Sequence, residues 1–167
     1  MSSGLLQREQ WVDAPLTQVF GFLSEARNLD RITPRWLGFK LLNQSTPRIE
    51  AGTLIQYRLA WHGLPMRWTT LIEDWAPPEK FVDVQLKGPY ALWRHTHTFA
   101  ESKGGTLVRD TVEYRVPFGM LGRLFAGGMV RRDVELIFDY RVTKIGEIFR
   151  QGLETDRGAM LNDAFRR

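Results

Sequence analysis

The chain has 167 residues, no cysteine and a net charge of +4. That is one domain with room for a core, and it excludes disulfides, thiolate metal sites and a cysteine nucleophile. The basic residues are mostly arginines scattered singly or in pairs, without the cluster or stripe that nucleic-acid binding uses. The opening MSSGLLQREQ lacks the apolar run of a signal peptide, and no stretch reaches bilayer-spanning length. A cytoplasmic protein with no nucleic-acid partner and no stable membrane insertion is therefore expected. The 6 tryptophans and 10 phenylalanines suit a bulky core or an aromatic-lined pocket.

In chain order, Leu6 to Asp13 reads as a first strand with neither face cleanly apolar, hence an edge or rim strand. Asp13-Ala14-Pro15 reads as a helix start, with Asp13 as cap. Leu16, Val19, Phe20 and Leu23 then make one helical stripe, and Leu29 and Ile32 anchor a second short turn that Pro34 ends. Trp36 to Asn43 reads as a strand and Gln44 to Gly52 as a loop. Thr53 to His62 and Met66 to Trp75 alternate about a turn at Gly63-Leu64-Pro65. Phe81 to Lys87 is the next strand, and Tyr90 to Ala100 with Thr106 to Val116 forms the last hairpin. Pro117 ends the sheet, and Phe118 to Phe125 starts a helix that Gly127-Gly128 should kink or interrupt.

Val130 to Phe149 organises the rest. Val130, Val134, Ile137, Ile145 and Ile148 fall in one helical row, with the stem of Arg141 filling it. A sheet and a helix each have one apolar face to bury. A curved antiparallel sheet gripping this helix, with a cavity between them, follows. Residues 1–150 form the domain, and 151–167 read as a polar, frayed tail.

Trp93-Arg94-His95-Thr96-His97-Thr98-Phe99 holds two of the 3 histidines. Strand alternation puts Trp93, His95, His97 and Phe99 on one face, opposite Arg94 and the threonines. A hairpin centred on Lys103-Gly104 pairs Phe99 with Val108, His97 with Asp110, His95 with Val112 and Trp93 with Tyr114. A slip of one residue would turn an apolar face to water, which favours this register. Asp110 then faces the imidazoles inside the molecule, and a His97–Asp110 hydrogen bond satisfies both. Four roles compete for this cluster: a buried polar pair and nothing more, a ligand-orienting group, a general acid–base, or a metal site. The HxH signal for a metal is weak, and no metal or cofactor is expected. On the preceding strand, alternation alone turns Val82, Val84 and Leu86 inward; the opposite choice turns Phe81, Asp83 and Gln85 inward.

Several motifs resemble the START-like or Bet v 1-like superfamily, also called SRPBCC, and within it the polyketide cyclase/dehydrase-like branch of bacterial ligand-binding proteins. They are Val12-Asp13-Ala14-Pro15 with Val19-Phe20, Asn28-Leu29 through Ile32-Thr33-Pro34, Gly88-Pro89-Tyr90, the Trp93–Phe99 run, and Ile137-Phe138-Asp139-Tyr140-Arg141. The resemblance covers about residues 5 to 150. It implies an α+β helix-grip fold: a curved antiparallel sheet of about seven strands around a long C-terminal helix, with two short helices after the first strand. It implies a cavity for lipids, sterols, polyketides or hormones, and no single catalytic motif. It also favours His95, His97 and Asp110 facing the helix, and leaves the two faces of the Phe81–Lys87 strand evenly balanced.

The expected activity is binding of a small hydrophobic or aromatic molecule. Tyr57, Trp68, Trp93, Phe99 and Tyr114 would form the walls, with Val134 and Ile137 from the helix. His95, His97 and Asp110 would orient the ligand, joined by Asp83 and Gln85 if their face is inward. The rim would be Leu29–Trp36 and Phe118–Gly128, whose glycines let a lid move. Two alternatives are a cyclase or dehydratase in which His97, held by Asp110 and assisted by His95 or Tyr114, moves a proton, and an interaction module with a collapsed cavity. A homodimer is compatible with each.

Overall fold

The computed structural model describes the backbone over residues 4–117 and 119–164, and side chains over 4–117 and 127–152. Strand β1 (Gly4–Val12) leads into helix α1 (Leu16–Leu23), which buries Val19, Phe20 and Leu23. Two 3-10 turns follow, Ala26–Ile32 and Arg35–Leu37. Then come β2 (Lys40–Gln44), β3 (Leu54–Trp61), β4 (Leu64–Ala76), β5 (Lys80–Lys87), β6 (Leu92–Ser102) and β7 (Gly105–Arg115), and finally helix α2 (Gly119–Ala164). All seven strands form one antiparallel sheet in the order β1-β7-β6-β5-β4-β3-β2. Irregularities in register between Leu41 and Asn43, at Thr69/Thr70 and between Ile72 and Asp74 bend it, since an extra residue on one strand adds local bend and twist. The result is the curved seven-stranded sheet around a long helix that the sequence implies.

The β6–β7 register agrees with the expectation pair for pair: Trp93↔Tyr114, His95↔Val112, His97↔Asp110 and Phe99↔Val108. Its turn places Lys103 and Gly104 at φ of 51° and 78°, the left-handed pair that a two-residue hairpin needs.

Local expectations differ in four places. The β3–β4 turn is His62-Gly63, with φ of 47° and 83°, so β4 starts at Leu64 and includes Pro65. Asp13 does not cap α1; Pro15 stands at that position without a side-chain bond. Arg35–Leu37 is a 3-10 turn closed by Gly38 at φ 52°, which delays the next strand to Lys40. Helix α2 runs through Gly127-Gly128 and on to Ala164. Two glycines cost it only about 1 kcal/mol each.

The core is divided. One cluster joins α1 to the sheet and the later part of α2, through Val19, Phe20, Phe81, Phe99, Ile145 and Phe149. A second joins β1 and β7 to the earlier part of α2, through Leu6, Val112, Tyr114, Val134 and Phe138. A third is Ala26, Ile55 and Ile72. The helix stripe is thus broader than the Val130–Ile148 row: Phe138 is 2 % exposed and Phe149 8 %.

Candidate functional site

A pocket of about 340 Å³ lies between the sheet and α2, bordered by all three clusters. Its walls are chiefly apolar and aromatic. Tyr57 and Trp68 stack with ring centroids 5.8 Å apart, and Trp93 meets Trp68 edge-on at 5.3 Å. Val130, Ile137, Phe138, Arg141 and Ile145 close it from the helix, and Leu29, Ile32 and Leu37 border it from the 3-10 turns.

Its polar patch is built by three neighbouring strands. β5 pairs Asp83 with His95 and Phe81 with His97, and β6 pairs His97 with Asp110. Residues directly opposite in a regular ladder share a face, so Phe81 and Asp83 point inward with the histidines. This corrects the alternation-based choice of Val82, Val84 and Leu86. The inner face of β5 is partly polar because it meets imidazoles, while Val82 is buried on the other side.

Asp110 Oδ1 lies 2.9 Å from both His95 Nε2 and His97 Nδ1. Asp83 Oδ2 lies 3.0 Å from His97 Nε2 and 3.4 Å from His95 Nδ1. The two imidazoles are 3.6 Å apart by ring centroid. Phe81 stacks on His97 at 3.9 Å, and Phe138 meets His95 edge-on at 5.1 Å. Every imidazole nitrogen therefore faces a carboxylate oxygen, and a phenyl ring packs on each imidazole. His95, His97 and Asp110 are each at most 6 % exposed. Donor atoms of Asp83, His95 and His97 lie within 4.8 Å of one another, a spacing that could converge on a metal.

Burial pushes the Asp110 carboxyl up, but hydrogen bonds from His95 and His97 outweigh it and hold it well below the carboxylate range. Asp83 is also held low: the His97 bond and the His95, His97 and Arg141 charges overcome its burial. Burial and the neighbouring His97 charge lower His95. Burial would lower His97 too, but the bonds to Asp110 and Asp83 raise it. Burial, with Asp83 nearby, raises the Tyr57 phenol.

These directions fix the pH response. The two lowered carboxylates give stability that is present above their unfolded value and lost as pH falls through the folded one. Raised His97 gives stability present below its unfolded value and lost as pH rises through the folded one; lowered His95 has the opposite sign, so the two imidazoles offset near neutrality. Stability should therefore fall from about pH 4 downward, by about 1.4 kcal/mol per pH unit for each proton taken up. Urea midpoints between about pH 3 and 5 check this, and Asp110→Asn should lower the slope by about one proton. An unchanged slope would show that Asp110 does not titrate in unfolding.

Of the other expected wall residues, Tyr57, Trp68, Trp93 and Ile137 border the pocket. Phe99, Tyr114 and Val134 are packed into the flanking clusters. Gln85 clasps the β5–β6 turn instead, donating to the Tyr90 carbonyl at 2.7 Å and accepting from its N–H at 3.2 Å. The rim side chains 118–126 lie outside the described residues, and Val116 and Pro117 border the pocket just before them. Two features went unread in the sequence. Arg141 faces the pocket as a cation rather than a stem, with its guanidinium 5.0 Å over the Phe138 ring. Asp133 accepts from Trp61 Nε1 at 2.7 Å and lies 2.8 Å from His62 Nε2, tying the β3–β4 turn to α2. Both are charged residues on the buried side of an amphipathic helix, which is the signal that could have found them.

A family model described as polyketide cyclase/dehydrase and lipid transport matches residues 12–135. No curated protein matches the chain. Protein Ms6760 from Mycobacterium smegmatis is 16 % identical with a TM-score of 0.65, over 89 % of this chain and 92 % of that one. TTHA0849 from Thermus thermophilus is 18 % identical with a TM-score of 0.67, over 89 % and 99 %. The di-domain ARO/CYC StfQ from the steffimycin biosynthetic pathway is 12 % identical with a TM-score of 0.71, over 91 % of this chain and 52 % of that one. Among the described residues no helix is long and apolar enough to cross a membrane. The structural likenesses bear on the fold, and the family match spans well over half of the chain: it belongs to the polyketide cyclase/dehydrase and lipid transport family.

Proposed function

We propose that this protein binds a small hydrophobic or aromatic molecule in the pocket between the sheet and α2. One observation carries the reading: a pocket of about 340 Å³ whose mostly apolar walls include a compact polar patch of Asp83, His95, His97 and Asp110, with Arg141 also on the wall. Ligand pockets combine such a wall with a few convergent polar groups. That volume also weighs against an interaction module with a collapsed interior. The family description, polyketide cyclase/dehydrase and lipid transport, supports the same class of ligand.

The test is a fluorescence titration with 1-aminoanthracene, a flat apolar probe. Ile137 borders the pocket from the helix, so Ile137→Trp should fill it and weaken binding by roughly tenfold or more. Unchanged binding by that variant, or no binding by the wild type, would sink the reading.

A second reading has its own support. The two imidazoles are pushed in opposite directions, His97 up and His95 down. Such a split places an acid and a base side by side, as a cyclase or dehydratase needs. This reading requires turnover of some polyketide or acyl substrate that His97→Gln abolishes while probe binding persists.

A further inference from the structure

The His-x-His spacing of β6 is by itself a weak metal signal, and the surroundings of the two rings make it a specific one. Each imidazole divides its nitrogens between two carboxylates. His95 Nδ1 and His97 Nε2 face Asp83 Oδ2, at 3.4 Å and 3.0 Å. His95 Nε2 and His97 Nδ1 face Asp110 Oδ1 on the other side, both at 2.9 Å.

The Asp83 side has the dimensions of a coordination site. Imidazole and carboxylate ligands stand about 2.0–2.1 Å from a zinc-type ion, so two ligands of one ion are about 2.8–3.5 Å apart at tetrahedral or right angles. Both separations from Asp83 Oδ2 fall in that range. The longer one is informative: at 3.4 Å it exceeds a charge-assisted hydrogen bond, whereas two ligands of one ion span it.

The Asp110 side supplies the support such a site needs. A metal-ligating histidine gives its other ring N–H to a carboxylate or carbonyl, which fixes the tautomer and aims the free nitrogen. Here one carboxylate oxygen serves both rings. The strand register sets this up: Asp83 stands opposite His95 and Asp110 opposite His97, and the two histidines share a face. Arg141 borders the same pocket, and its charge is felt at Asp83. Direct nitrogen ligation has to outweigh that repulsion, which favours an ion with high affinity for imidazole over Mg2+ or Ca2+, whose ligands are oxygens.

We propose that Asp83 Oδ2, His95 Nδ1 and His97 Nε2 form a mononuclear site for a first-row divalent cation of the zinc type, with Asp110 as the positioning residue behind both histidines. Three protein ligands leave a coordination position for water or a ligand atom, and the pocket that these residues border gives it room. The site reverses the expectation from the sequence that no metal is held. It stands whether or not the pocket takes an apolar molecule.

Tag-free full-length protein, stripped with a chelator and dialysed, tests this by calorimetric titration with Zn2+ and, separately, with Mg2+. The wild type should bind one equivalent of Zn2+ with a Kd of about 1 μM or below, and excess Mg2+ should not displace it. Asp110→Asn should weaken Zn2+ by about 10–100-fold and leave the visible spectrum of bound Co2+ unchanged, because the ligands are kept. Asp83→Asn should weaken Zn2+ further and change that spectrum, because a ligand is lost. His62→Ala, which removes the half-exposed histidine beside Asp133, should leave Zn2+ affinity unchanged. Less than about a tenth of an equivalent bound by the wild type under excess Zn2+ overturns the site. So does binding that is lost in His62→Ala or kept in full by Asp83→Asn. Displacement by Mg2+ overturns the zinc-type assignment, and an unchanged affinity in Asp110→Asn overturns the positioning role. The wild-type and His62→Ala titrations decide on the site even if a variant at a buried position does not fold. Binding of 1-aminoanthracene is measured separately, so either reading can fail alone.

Discussion

Replacing Asp110 with alanine is expected to cost about 3–5 kcal/mol of stability, the range seen when one partner of a buried charged pair is removed. Asp110 is 6 % exposed, and its Oδ1 lies 2.9 Å from a nitrogen of each histidine. Without it, His95 Nε2 and His97 Nδ1 lose their shared acceptor beside the Phe81 and Phe138 rings. Asp110→Asn keeps a neutral acceptor of the same shape and should cost less, about 1–3 kcal/mol. Urea unfolding at neutral pH with an unchanged m-value gives both numbers. An alanine variant within 1 kcal/mol of wild type, on the order of a single ordinary hydrogen bond, would mean that the four-residue cluster is not coupled as described.

The second large effect lies away from the polar patch. Phe20→Ala should lose about 3–5 kcal/mol, the usual range for deleting a buried aromatic ring. Phe20 is 6 % exposed, and its ring meets Trp75 at 5.2 Å, Phe81 at 5.9 Å and Phe99 at 5.2 Å. It is how an eight-residue helix holds three strands at once. Phe81 also carries His97 on its other neighbour contact, so the loss should loosen the polar patch. Leu5→Ala, at a residue 62 % exposed, should stay within about 0.5 kcal/mol and serves as the control. Thermal unfolding of the three proteins side by side is sufficient, and a Phe20 variant no worse than the Leu5 variant would refute the account.

The hairpin of β6 and β7 could be read from the sequence because its inner face is mostly apolar and its turn is short, so a slipped register would have been conspicuous. Strand β5 could not be read in that way. Alternation identifies the buried face only when the buried face is the greasier one, and here Asp83 lies inward because two imidazoles await it. The same limit hid Arg141 and Asp133. A periodic stripe shows where the helix rests, while a charge on that stripe looks like noise until its partners are known. Phe99, Tyr114 and Val134 were legible as inward-facing. Whether an inward residue borders the pocket or packs beside it depends on how the sheet bends, and the register irregularities that bend it leave no mark in composition. Asp13 had the chemistry of a cap but not the local backbone, because the Ala14 N–H and carbonyl are already bonded to Val12 and Thr106.

Every strand from β2 to β7 lies beside its neighbour in the chain, but β1 crosses to the last of them, with Gly4 opposite Tyr114. During synthesis at about 5–20 residues per second, the first strand leaves the ribosome on the order of ten seconds before its mate exists. The meander can assemble locally, whereas closing the edge must wait for the longest loop in the molecule. This accounts for the mixed character of Gly4–Val12. A segment that must idle in water is safer with Gln7, Arg8, Glu9 and Gln10 between its two buried anchors, Leu6 and Val12, than as an unbroken apolar ribbon ready to pair with strangers.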